Sequence, residues 1–203
     1  MTAAARPAAD WALAALLAVT LAAGLLPVPV AAADWGLEQL MQVLGEVKSS
    51  KARFVERKHM AILNAPLEYS GTLIYMAPDR LEKHTRTPQR ESLLLERDQL
   101  TIENPERKLR RRVLLQDYPV IWAFVESIRS TLAGDLATLT RFYEVRLEGE
   151  ERRWRLSLKP LDPQMAEVVS EIRLSGSGNG ITAMETIETN GDRSVMTITR
   201  DNP

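Results

Sequence analysis

Between Glu68 and Gln116, apolar and polar residues fall in short extended runs with no helical period. Tyr69–Met76 stops at Ala77-Pro78-Asp79, and Arg80–Thr87 ends at Pro88. Ser92–Glu96 and Leu100–Glu103 are hinged at Arg97-Asp98-Gln99 and closed by Asn104-Pro105, and Lys108–Leu115 precedes Asp117-Tyr118-Pro119. Proline lacks the N–H that a ladder needs, and Asp and Asn bond their own backbone, so these residues punctuate strands. The spacing predicts an antiparallel meander. Within it Leu73 and Tyr75 point to one face and Ile74 and Met76 to the other, as expected of a central strand buried on one side and partly covered on the other. Ahead of it, Lys51–His59 alternates as a polar first strand with Phe54 as its anchor.

Helical spacing appears twice. In Asp34–Ser49 the residues Leu37, Leu40, Met41, Leu44 and Val47 form one stripe, which needs a sheet to lie on. In Pro119–Gly134 the stripe is Ile121, Val125, Ile128 and Leu132, flanked by Trp122 and Phe124; Pro119 suits the entry and Gly134 the exit. Such a helix serves equally as a fixed cover or a mobile lid. Leu136 and Leu139 predict a further turn or two. Phe142–Glu148 and Arg153–Lys159 then read as a hairpin around Gly149-Glu150-Glu151, and Met165–Glu171 as a short helical or bulged insertion. Ile172–Ser175 follows, and Ile181–Glu188 and Ser194–Thr199 close the chain across Asn190-Gly191, a strong hairpin turn. The predicted class is α+β: a long antiparallel sheet with amphipathic helices on a concave apolar face. That face suits acyl chains, and a plain packed core accounts for the same residues.

The first residues read differently. Met1–Asp10 carries one basic residue, Arg6; Trp11–Leu26 is apolar; Pro27-Val28-Pro29 breaks the run, and Ala31-Ala32-Ala33 offers a small-residue cleavage site. This order predicts a secretory signal over residues 1–33, removed to leave residues 34–203 as one domain, with an uncleaved membrane anchor as the alternative. A net charge of −1 gives no case for nucleic acid. With no cysteine in the chain, neither a disulfide nor a lipid-modified cysteine is possible, and the core alone must hold the fold.

Catalytic ingredients are few. His59 and His84 have no second ligand at metal spacing, and no G-x-S-x-G elbow is present. Gly176–Gly180 precedes a strand, so it reads as a turn and not as a phosphate loop, which requires a following helix. On a strand, Arg110, Arg111 and Arg112 alternate between faces: a solvated edge or, alternatively, a contact for an anionic partner. No catalytic residue, metal or cofactor is expected, and the chain is not read as an enzyme.

Taken together, the leader, the amphipathic helix and Phe54-Val55-Glu56-Arg57-Lys58 resemble the start of the LolA-like outer-membrane lipoprotein carriers. Gly71–Leu81 is similar to that family's G-x-L-x-x-x-x-P strand and turn, and Pro88–Glu91, Leu93–Leu100 and Asn104-Pro105 follow in its order. The resemblance covers most of residues 34–200. It implies an incomplete β-barrel with helices as a lid over a hydrophobic cavity, in a monomeric periplasmic carrier. Such a carrier takes an acyl-chain lipid or lipoprotein cargo from an inner-membrane transporter or exporter to an outer-membrane acceptor. The cavity candidates are Leu73, Tyr75, Leu81, Leu93, Leu95, Trp122, Ile128, Trp154, Leu156 and Leu158. The family's lid arginine falls at Ala77 here, which makes Arg80 the latch candidate, and Lys83 stands where an apolar residue is expected. A non-enzymatic envelope sensor of the same architecture, binding a protein partner, is the alternative.

Overall fold

The computed structural model describes residues 35–201, and the predicted leader lies outside them. The alternating runs form eleven strands: β1 (Ser49–His59), β2 (Leu67–Met76), β3 (Arg80–Thr87), β4 (Glu91–Glu96), β5 (Gln99–Asn104), β6 (Leu109–Leu114), β7 (Tyr143–Glu150), β8 (Arg153–Pro160), β9 (Val169–Ser177), β10 (Gly180–Glu188) and β11 (Arg193–Arg200). They make one antiparallel sheet in the order β6-β5-β4-β3-β2-β1-β11-β10-β9-β8-β7. The first and last strands pair at its centre, Phe54 opposite Ile198. The two meanders are thereby joined into one curved, unclosed sheet, and β6 and β7 are its edges.

Four helices lie with this sheet: α1 (Leu37–Gly45), α2 (Pro119–Ala133), α3 (Leu136–Phe142) and α4 (Pro163–Ala166). The first is shorter than its apolar stripe and ends before Val47. The expected insertion at Met165–Glu171 resolves into α4 followed directly by β9, which starts at Val169, three residues earlier than the side-chain pattern indicated. Ladder pairing carries strand ends past the last apolar residue.

Gly134 ends α2 at φ 70°, a left-handed conformation that glycine adopts without a Cβ penalty. A Cβ there would also lie 2.2 Å from the Met41 carbonyl oxygen, so α1 and α2 cross in direct backbone contact. Asp135 caps α3, its carboxylate accepting from the Thr138 N–H at 2.9 Å. On α2 the side turned to the other helices is small and polar. Ser127 Oγ donates to the Phe124 carbonyl and Thr131 Oγ1 to the Ser127 carbonyl, both at 2.7 Å, so these buried hydroxyls are satisfied within their own helix.

The packed core occupies only half of the concave face. Trp154, Leu156 and Leu158 of β8 and Ile172 and Leu174 of β9 pack against Leu40, Met41 and Leu44 of α1, Leu139 of α3 and Met165 of α4. Tyr143 of β7 donates its hydroxyl to the Ala123 carbonyl of α2 at 2.7 Å, and burial pushes its phenol up to about 12. The helical layer is therefore pinned to β7–β9. Over the other strands it has no such anchor.

Candidate functional site

Register determines what faces the helices. Ala52 opposes Leu73, which opposes Lys83; Tyr75 opposes Leu81, which opposes Leu95; and Leu93 continues the row from Lys83. These side chains therefore share the concave face. Opposite them, the apolar stripe of α2 looks down without touching a filled core. Between the two lies a cavity of about 570 Å³. Its wall includes Leu73, Tyr75, Leu81, Leu93, Leu95 and Leu100 from the sheet, and Ile121, Phe124, Val125, Ile128 and Leu132 from α2. Val47, beyond the end of α1, and Met165 also line it, as do Leu174, Ile181, Met184, Met196 and Ile198 of β9–β11. The volume lies within the range of roughly 300–1,000 Å³ typical of small-molecule sites, and the lining is predominantly hydrocarbon.

Six of the ten candidate residues thus line the cavity: Leu73, Tyr75, Leu81, Leu93 and Leu95 from the sheet and Ile128 from α2. The other four do not line it. Trp154, Leu156 and Leu158 face the same side of the sheet but lie under α1, α3 and α4, fully buried in the packed half. Trp122 is turned away around α2 and meets Phe142 edge to face, ring centres 5.0 Å apart.

The latch candidate also moves. Arg80 pairs with Glu82 at 2.7 Å and Glu96 at 2.9 Å along the sheet, and no bond from it to a helix is present among the described residues. The cation of α2 that ties it to the sheet is Arg129. Its guanidinium donates to the Arg97 carbonyl at 3.2 Å and approaches the Asp98 carboxylate at 3.6 Å, at the β4–β5 turn. It also pairs with Glu126, whose other oxygen accepts from Ser130 Oγ at 3.2 Å. With Arg111 of β6, whose guanidinium donates to the hydroxyl of Tyr118 at the start of α2 at 3.2 Å, Arg129 fastens this side of the cavity. Arg129→Ala leaves Glu126, only 8% exposed, without its cation. Losing a charged hydrogen bond of this kind is expected to raise amide exchange in α2 about tenfold. Exchange mass spectrometry checks this; unchanged rates in α2 would mean that Arg129 holds nothing.

Polar groups on the wall gather at its ends. Lys83 reaches Glu56 at 2.5 Å, and the same carboxylate accepts from Ser194 Oγ at 2.6 Å. Burial works to raise the Glu56 pKa, but Lys83, Ser194 and Lys58 outweigh it and hold the carboxyl below its ordinary value. The lysine at an expected apolar position is therefore neutralised by a partner on β1. Arg200 marks the opposite end, close to Asn179 at 3.4 Å. Nothing in this arrangement supplies a nucleophile with an adjacent base; what it offers is a half-open apolar surface.

By structure the chain is similar to a LolA superfamily protein from Nitrosomonas europaea (14% identity, 82% of this chain and 93% of that one, TM-score 0.45). It is also similar to the MucA/MucB complex structure of Pseudomonas aeruginosa (12%, 80% and 55%, 0.43). A third is a putative outer membrane lipoprotein-sorting protein domain from Vibrio parahaemolyticus (11%, 80% and 88%, 0.43). No curated protein matches the sequence. Residues 29–199 match the family described as outer membrane lipoprotein carrier protein LolA-like, nearly the whole length of the chain. The chain belongs to that LolA-like family.

Proposed function

We propose that this protein is a periplasmic carrier that holds the acyl chains of a lipid or lipoprotein in its cavity and moves them from the inner towards the outer membrane. The observation that supports this reading best is the unfilled apolar space beneath α2. A fold that only had to be stable would collapse such a space, since unfilled volume forfeits dispersion contacts. A ligand with hydrocarbon chains restores them. Membership of the LolA-like family supports the same reading. In this account residues 1–33 direct the chain to the envelope and are removed, residues 34–203 act as a monomer, and an inner-membrane transporter and an outer-membrane acceptor are the partners.

The uneven anchoring of α2 fits a carrier. Tyr143 and the core of β7–β9 keep one side of the helical layer fixed, while Arg129 alone ties α2 to the β4–β5 turn. Opening then requires the loss of a few polar contacts, those of Arg129 and the Arg111–Tyr118 bond, and leaves the core intact. A dansyl-labelled undecanoate probe tests the reading. Saturable one-to-one binding with a blue-shifted emission is expected. Absence of binding by this and longer acyl probes would turn the interpretation to the sensor module, which needs a protein partner and no cavity.

A further inference from the structure

Several polar side chains on the cavity wall already have partners. Lys83 and Ser194 serve Glu56, Thr131 Oγ1 donates to the Ser127 carbonyl, and Arg200 donates to Asn179. Tyr75 is different. It is 5% exposed, and its hydroxyl, closed off from solvent, has no hydrogen-bond partner among the described residues. Burial pushes its phenol above the ordinary tyrosine value, so the group stays protonated and acts as a donor. A buried tyrosine normally finds a partner, because a donor taken out of water without one forfeits its hydration and gains nothing in return.

Register shows what surrounds it. Ser50 of β1 stands directly opposite Tyr75 on one side, and Leu81, Leu95 and Leu100 of β3, β4 and β5 continue the same row on the other. All five line the cavity. One cross-strand row therefore carries two hydroxyls at one end and hydrocarbon over about 14 Å beyond, at the usual strand spacing. Lys83, two residues along β3 from Leu81, is engaged by Glu56 and does not offer a free cation to an anion beside the hydroxyl. A neutral ester carbonyl fits this row. It brings an acceptor to the unanswered donor, and neither a charge nor an N–H that the leucines beyond would leave unpaired.

We infer that Tyr75 is the hydrogen-bond donor for the ester carbonyl of an acyl lipid whose chain lies along Leu81, Leu95 and Leu100. The inference rests on the cavity being a lipid site and names the linkage that the site reads. The hydroxyl is covered in the closed protein, and the opening of α2 that admits a cargo is the step that lets the carbonyl reach it. Two lipids that differ only at the linkage test this in competition with the dansyl probe: 1,2-dioctanoylglycerol and its diether counterpart, 1,2-di-O-octylglycerol. The ester is expected to displace the probe at a concentration about tenfold lower. Tyr75→Phe should bring the ester level with the ether, since the ring stays and the donor goes. Stripped of lipid, the same variant is expected to melt about 3 °C above the parent, because an unanswered buried hydroxyl has been removed. A hydroxyl that was bonded would give a lower melt instead. Equal displacement by ester and ether in the parent, a preference that survives Tyr75→Phe, or a lower melting temperature of the variant overturns the assignment and leaves the cavity reading standing. Failure of the probe and both lipids to bind overturns both.

Discussion

Replacing Trp154 by alanine is expected to destabilise the domain by about 4 kcal/mol, the usual cost of deleting a fully buried tryptophan from a core. The indole is 1% exposed and lies over Gly176, where a Cβ would come within 2.3 Å of its Cζ2. Its Nε1 donates to the Gly178 carbonyl at 2.9 Å, tying β8 to the β9–β10 turn. Truncation therefore opens a void in that core and removes the donor from the Gly178 carbonyl. Against a total stability of about 5–15 kcal/mol, this is a large fraction. Urea denaturation reads the effect directly. A loss below about 1 kcal/mol would mean that the β7–β9 half is not the core that pins the helical layer.

Filling the cavity should have the opposite profile, with binding lost and stability retained. Leu93 of β4 and Ile128 of α2 face the space from opposite sides. Changing both to tryptophan takes up the room of about four methylenes of ligand, about 3 kcal/mol of apolar transfer and roughly two hundredfold in probe affinity. Because the new rings occupy existing space, the unfolding free energy from urea denaturation should stay within about 1 kcal/mol of the parent, or rise. Undiminished probe binding in a folded double variant would place the acyl chain elsewhere.

These two expectations divide the molecule as the sequence alone could not. Alternation along β2, β3, β4 and β8 shows that Leu73, Tyr75, Leu81, Leu93, Leu95, Trp154, Leu156 and Leu158 share a face, because a pleated strand must turn every second side chain the same way. Which part of that face is filled depends on where the helices rest. That is decided by contacts such as Gly134 against Met41 and Tyr143 against Ala123, between residues far apart in the chain. Hence the three β8 residues lie in core although their alternation matches that of the cavity wall. Trp122 lies off the cavity for a related reason: it stands one residue from the cavity stripe, about 100° around the helix.

Turn chemistry was the most legible part. Pro119 and Gly134 bracket α2, Asn190-Gly191 makes the last hairpin with Gly191 at φ 91°, and β3 runs over Arg80–Thr87 as its flanking prolines and Asp79 indicate. The polar fastenings were the least legible. Arg129 has no local mark of its role, because Arg97 and Asp98 lie in a turn some thirty residues earlier. Glu56 and Lys83 likewise look like unrelated surface charges until β1, β2 and β3 lie side by side.

The most direct test of the central claim is native mass spectrometry of the protein purified from the envelope of its own cell, followed by release and identification of anything bound. A carrier should retain one equivalent of a molecule with acyl-chain mass, lost in the Leu93→Trp/Ile128→Trp variant. A clean unliganded mass, unchanged after incubation with a membrane extract, would contradict the carrier account.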